Sequence, residues 1–563
     1  MRRIAALALV LVAAAIAPPA LTAQQMTDRS TPALIRALDL EQRGRDAEAA
    51  VAFREALGGA DMLPALLGLE RVYASMSQSD SLVSLADSLA RAHPAEVMVQ
   101  VVRLRVLLYA RRSAAATAAF AEWTKRAPTQ ITPYREYTRL LLDAGDLATA
   151  DSVITAAQRL PGADIALAPE RARVLSARGQ WSQAALAWRG AVERGPHLVP
   201  EAAFALGAAT GDGRDDIRHT LGGSTAAAGR MLLSQLELMW GSPAAAWAAL
   251  ATLTPDAPTV AAWRNFAENA EGTEAWLPAR DAWHAVLAAT KCDGETALRA
   301  TDDAVRGGDP ASALALLDAF PCTASNPSMA NVAGALRVRA LALAGKAPEA
   351  TAALAKLAVT DDARRVLLTD VAWAWVRAGD TAKARAMMGD ALADDTTGVR
   401  GWLALYDGDI ATARTALRES GTPSSDAVRA QAIIARTRAD RAPKFGAAFL
   451  ALARRDSAAA AALFESAASE LPDAAPLLLA TAAEIRYARG DATAAIALWQ
   501  RILDQYGSSA DAPNAELALA RALLAAGDRA SAKAHVEHLI LTWQNSSLVP
   551  QARQLLGTLG RAE

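Results

Sequence analysis

The chain has 563 residues, several times the length of one ordinary domain. Hydrophobic residues make up 52%, aromatics 5% and alanine about a quarter, which excludes extended disorder and disfavours sandwiches and barrels. A net charge of −2 leaves no global basic field for nucleic acid or an anionic membrane, and two cysteines exclude a disulfide framework or a cysteine-rich zinc module.

The first segment reads as an address. Arg2 and Arg3 precede the apolar run Ile4 to Ala17, then Pro18-Pro19 and small residues ending Leu21-Thr22-Ala23. This is the order of a secretory signal peptide over 1–23, with 24–30 a short linker. The fourteen residues of the apolar run would span about 21 Å as a helix, short of roughly 30 Å of hydrocarbon. An uncleaved N-terminal anchor is the alternative. No cysteine follows the run to carry a lipid, and no later window reaches eighteen uninterrupted apolar residues. The mature chain is expected beyond the cytoplasm, in a periplasm, with no stable membrane span.

From residue 31 onward a phrase recurs: a glycine, one or two polar residues, then a helix of small residues. It reads Gly44-Arg45-Asp46, Gly145-Asp146, Gly179-Gln180, Gly379-Asp380, Gly490-Asp491 and Gly527-Asp528. Weaker copies start at Gln78, Arg111, Gly213, Gly241, Glu274, Gly308, Gly345, Gly408 and Arg455. Most steps between these anchors lie within one residue of 34. The fifth residue after the anchor is alanine in thirteen of fifteen copies, and the ninth is often large, as in Phe53, Trp188, Trp283 and Trp499.

This period and these positions resemble the tetratricopeptide repeat family over about 31–558. The resemblance implies an all-α fold, an α-solenoid of about fifteen helix–turn–helix units forming a superhelix. Each glycine turns the chain, and each alanine lets neighbouring helices approach. Arrays are expected at 31–206, 230–418 and 443–563, the last with a capping helix. The glycine-rich stretch 207–229 is read as an irregular repeat and joint. The segment 419–442 is read as an insertion, with an extra helix from Ser425 to Asp440. At the C-terminus, Trp499 to Pro513 and Leu539 to Pro550 are parallel phrases. They resemble the repeats of bacterial envelope proteins of the Tol-Pal and outer-membrane assembly type.

Motifs of chemistry are missing. There is no His-Glu-x-x-His, no Gly-x-Ser-x-Gly and no P-loop, so no catalytic residue, metal or cofactor is assigned. His535 and His538 share a helical face without a third ligand. Cys292 and Cys322 each follow the second helix of neighbouring units. Oxidation to a disulfide and two free thiols both remain open.

By analogy with the family, the residue six before each anchor faces the concave side. Arg105, Arg139 and Arg173 stand there in register, able to grip carboxylates of an extended partner or to pair with Glu136 and Glu170. Trp373, Trp402 and Phe449 share the same phase, as an aromatic platform or as core. The expected function is an exported, non-catalytic scaffold binding protein or peptide partners in cell-envelope assembly or maintenance. The alternative is a cell-wall-glycan enzyme, or an accessory subunit of one, built on helical repeats.

Overall fold

The computed structural model describes residues 31–393, 395, 397–419 and 424–560. The proposed signal peptide 1–23 and linker 24–30 lie outside them. Every regular element among the described residues is helical, apart from an isolated antiparallel bridge between Asp409 and Arg441. The all-α solenoid expected from the repeat is what the chain forms: antiparallel helical hairpins, stacked in succession within each of its two compact units.

Turn chemistry explains the repeated phrase. At the fourth hairpin the Gly145 N–H donates to the Leu142 carbonyl (3.0 Å) and the Asp146 N–H to the Leu141 carbonyl (2.9 Å). These bonds satisfy carbonyls that a helix end leaves open, and they require a left-handed residue, here Gly145 at φ 74°. The Asp146 carboxylate then accepts from the Thr149 N–H at 3.1 Å, capping the second helix. Asp309, Asp380, Asp456, Asp491 and Asp528 cap in the same way. Glycine stops one helix, and aspartate starts its partner.

A residue of positive φ marks each of the fifteen turns. Thirteen coincide with the anchors read from the sequence. The second is Ser77 rather than Gln78, and the sixth is Gly211 rather than Gly213. Gly213 instead lies inside the helix Asp212–Gly222, flush against the Trp181 ring. Ser77, Arg111, Glu274 and Arg455 hold the left-handed conformation without being glycine. Arg455→Gly is therefore expected to raise stability by about 1 kcal/mol, and Gly490→Ala to lower it by a similar amount. Urea titration followed by circular dichroism checks both, and a destabilised Arg455→Gly would contradict the turn assignment.

All thirteen alanines at the fifth position are 0% exposed, among them Ala49, Ala184, Ala313 and Ala495. Of the large residues four positions later, Phe53, Trp188 and Phe464 are also fully buried. The small residue sets how closely neighbouring helices approach, and the large one fills the groove beside it.

The chain divides into two compact units, Met1–Thr254 and Pro255–Glu563. The boundary falls inside the stretch read as one central array. The first unit carries the turns from Gly44 to Gly241, and the second those from Glu274 to Gly527. The stretch 207–229 contributes to ordinary hairpin helices, Val199–Gly207, Asp212–Gly222 and Ala227–Met239. Two of its glycines serve close packing: side chains at Gly207 and Gly229 would collide with Met239 and Ser224.

The insertion holds a shorter helix than expected, Ser425–Ile434. Beyond it the chain returns to the turn it left. The Ile410 N–H donates to the Asp440 carbonyl, and the Ala442 N–H to the Gly408 carbonyl, both at 2.9 Å. Pro443–Ala453 then packs on Val399–Tyr406, so the stack continues past the insertion.

Candidate partner-binding groove

In each hairpin the helix before the turn is the first helix. The residue six before the turn reaches along this face toward a neighbouring first helix. With the second turn at Ser77, the register begins one unit earlier than the sequence suggested, at Arg71.

In the first unit this position forms an ion-pair ladder. Arg71 donates to Glu41 through Nε and Nη2, both at 2.7 Å. Arg105 pairs with Glu70 at 2.9 Å. Arg139 donates through Nε to Glu170 at 3.1 Å and lies 3.5 Å from Glu136. Arg173 donates to Glu201. Each arginine called as a grip for a partner is thus engaged within the chain. Burial pushes the Glu70 carboxyl above its usual range, against the pull of Arg105 and Arg71. Glu170 is 1% exposed, and Arg139 compensates its charge.

Arg139→Glu would leave that buried carboxylate beside a second one. It is expected to cost about 3 kcal/mol. Arg112→Ala, which breaks an exposed pair with Asp80, is expected to cost under about 0.5 kcal/mol. Chemical denaturation of the two variants checks the contrast, and equal losses would contradict it.

In the second unit the same register runs Glu268, Asp302, Arg339, Trp373, Trp402 and Phe449. Three cavities follow one another along these first helices. The largest, about 940 Å³, lies among Ala257–Gly272, Gly294–Arg306 and Pro327–Leu343. The next, about 260 Å³, shares Arg306 and Arg339 with it and adds Asp370, Trp373 and Arg377. The third, about 250 Å³, shares Trp373 and Arg377 with the second and adds Trp402, Tyr406 and Phe449. Shared wall residues set the three in one row along the first helices, a candidate groove.

The row of cavities reaches the insertion. Ser424 and Asp426, at the start of Ser425–Ile434, line the third cavity. The insertion continues over later first helices. Arg429 bonds Glu484 of Ala475–Ala488 at 3.3 Å. Arg436 holds Asp511, just ahead of Ala512–Ala525, through two bonds, one of 2.9 Å.

The aromatic residues form one cluster. Trp373 meets Trp402 edge-on at 6.5 Å, and Trp402 lies 5.6 Å from Phe449. Phe449 is 1% exposed and packs on Phe445 and Phe464, so it is the floor of this end rather than an open face. Trp373 and Trp402 are half-buried and line the groove.

The largest cavity holds what the sequence reading missed. Arg299 donates to Glu271 at 3.1 Å and stacks over Trp283 at 4.2 Å. Arg306 pairs with Asp302 at 2.6 Å, and Arg339 bridges Asp302 and Asp370 at 3.7 and 3.4 Å. Asp303 is 2% exposed, and its Oδ2 has no hydrogen-bond partner. Burial, reinforced by Glu271 and Asp302, pushes its carboxyl up to about 8. Repeat phase alone would have found Glu268, Asp302 and Arg339. Asp303 carries no such signal, because an acid beside another acid on a helix reads as a solvated face.

Cys292 and Cys322 are joined in a disulfide, with Cα atoms 6.0 Å apart. It ties the loop ahead of Gly294–Arg306 to the turn ahead of Pro327–Leu343, two walls of the largest cavity. His535 and His538 both bring Nδ1 to the buried Glu516 carboxylate, at 3.1 and 2.7 Å. Among the described residues no group of three or more His, Cys, Asp or Glu is placed to hold a metal. No helix among them is long and apolar enough to cross a membrane.

No family model matches the chain, and no curated protein does. Among solved structures, the chain is similar to the Cut9–Hcn1 hetero-tetramer of APC/C, at 12% identity and TM-score 0.25, covering 95% of this chain and 98% of that one. It is similar to Naa15/Naa10 bound to HypK-THB, at 14% identity and TM-score 0.23, covering 94% and 91%. It is also similar to the TPR domain of P58(IPK), at 13% identity and TM-score 0.18, covering 83% and 98%. At these values the likenesses carry no functional statement. The class of protein, an all-α solenoid of helical hairpins, rests on the fold itself.

Proposed function

We propose that the chain is an exported, non-catalytic scaffold that holds a protein or peptide partner along its first helices. The observation that carries this reading is the row of three adjoining cavities in the second unit. Its lining changes from charged and apolar to aromatic, which suits an extended chain of mixed side chains better than one small molecule. Export is supported by the order of residues 2–23 and by a disulfide, a bond that persists in oxidising compartments. A role in cell-envelope assembly or maintenance follows from the C-terminal resemblance.

Photo-crosslinking tests the reading. Benzoylphenylalanine replaces Phe204 or Val366, exposed on first helices, or Leu186 or Leu541, exposed on second helices. Discrete adducts in the native host are expected from the first pair alone. Adducts confined to the second pair would overturn the proposal.

A second reading follows from Asp303. A carboxylic acid protonated near neutral pH beside other carboxylates is an arrangement used in glycoside hydrolysis. Such chemistry needs a second, uncompensated carboxylate. The two beside Asp303, Glu271 and Asp302, are held by Arg299, Arg306 and Arg339, and Glu295 is the lining carboxylate without an ion pair among the described residues. Release of sugars from cell-wall glycan by the purified chain, lost in Asp303→Asn, would favour the enzyme.

A further inference from the structure

The largest cavity is unbalanced in charge. Four carboxylates line it, those of Glu268, Glu271, Glu295 and Asp302, with the Asp303 carboxyl as a fifth acid, against the guanidinium groups of Arg299, Arg306 and Arg339. All three arginines are engaged. Glu295 has no ion pair among the described residues, and buried Asp303 keeps an oxygen without a partner. The remaining lining is apolar, with Trp276, Leu298, Met329, Val332 and Leu336. An anionic guest would face acids with every arginine occupied. A purely apolar guest would leave the Asp303 oxygen unsatisfied, which is costly in a buried site. A guest with an aliphatic stem and a cationic head answers both parts of the wall.

We propose that this cavity receives a lysine or arginine side chain of the partner, with its head at Asp303 and its stem along Trp276, Met329 and Val332. The proposal rests on the scaffold reading and names the partner chemistry at one point of the groove. The cavity's size, about 940 Å³, and the next cavity against its Arg306–Arg339 wall favour a side chain carried on a polypeptide over a free amine.

Binding of such a group should depend on pH. The charges facing Asp303 are Glu268 and Glu271 from Ala257–Gly272, Arg299, Asp302 and Arg306 from its own helix, and Arg339 from Pro327–Leu343. Arg280, Asp281 and His284 of Trp276–Ala289 line a separate cavity, and no histidine lines this one. An incoming cation favours the ionised carboxyl. Below about pH 8 the complex therefore forms with release of the Asp303 proton, and affinity rises with pH up to that value and levels above it.

Calorimetric titration of the full mature chain tests the proposal. The probes are acetyl-Ala-Leu-Lys-Leu-Ala-amide, its norleucine analogue and 1,5-diaminopentane. The lysine peptide is expected to bind at least about tenfold tighter than the other two, and at least about tenfold tighter at pH 8.5 than at pH 6.0. Asp303→Asn should remove the lysine preference and the pH dependence while keeping the helical circular dichroism. Val332→Arg, at an exposed position on the cavity wall, should block the peptide. Equal binding of the lysine and norleucine peptides, no binding at millimolar concentration, or full lysine preference in Asp303→Asn would overturn the proposal. Diaminopentane binding as tightly as the peptide would assign the site to free amines and overturn it too. Partner crosslinks at Phe204 or Val366 without lysine preference here would sink this inference alone, leaving the scaffold reading intact.

Discussion

Gly446→Ala is expected to lower the stability of the second unit by about 3 kcal/mol, the upper end of the cost of overpacking. A methyl group there would run into the Leu405 carbonyl oxygen, with the Gly408 nitrogen at 2.9 Å and the Tyr406 oxygen at 3.1 Å. All three are backbone atoms, so no rotamer change relieves the clash. This is where Pro443–Ala453 meets Val399–Tyr406 after the insertion. Separating the two helices also loosens Phe445 and Phe449, both buried in the same core as Trp402. Gly557→Ala is the control. It lies in the helix Val549–Gly560 with nothing near its missing side chain, and alanine there should be neutral or gain up to about 1 kcal/mol. Scanning calorimetry reads both. An unchanged midpoint for Gly446→Ala would refute the contact between these helices.

The second large effect is expected from the disulfide. Cys292 and Cys322 are 30 residues apart, and closing a loop of that length stabilises by about 3.5 kcal/mol in the chain-entropy account. In a stacked array each hairpin depends on its neighbours, so the loss is felt first around the units that the bond joins. Replacing both cysteines by serine is expected to expose 290–326 to limited proteolysis before the rest of the second unit. It should also weaken any ligand of the largest cavity, whose walls follow the two cysteines. Wild-type protein that titrates with two free thiols under non-reducing conditions would remove the bond and the prediction together.

Much of the fold was legible because each hairpin is made by neighbours in sequence. Gly-Asp closes one helix and caps the next through bonds spanning a few residues, and a buried alanine recurs where helices touch. Departures arose where the local signal was ambiguous. Gln78 carries the polar signal in the sequence, while Ser77 before it makes the turn. Gly213 was read as a turn because its conformational freedom is visible in sequence, whereas the Trp181 ring beside it is not.

The candidate site was legible only in part. Repeat phase placed Arg105, Arg139 and Arg173 on one face, and Trp373, Trp402 and Phe449 on one face. Whether those groups are free to meet a partner depends on side chains elsewhere in the fold. Tertiary packing brings Glu70, Glu170 and Glu201 to the arginines and lays Phe464 against Phe449, which Phe445 meets from one turn earlier on its own helix.

By itself, then, the amino-acid sequence determined the period, the helix ends and the face that each first helix presents, because these follow from short-range hydrogen bonds and from the size of single side chains. Only the tertiary structure decided which charges are cancelled, that Asp303 lies buried with an unsatisfied oxygen, and that the insertion lines the last cavity of the row. Charge pairing and desolvation depend on distances between helices that stand close in space yet far apart in sequence.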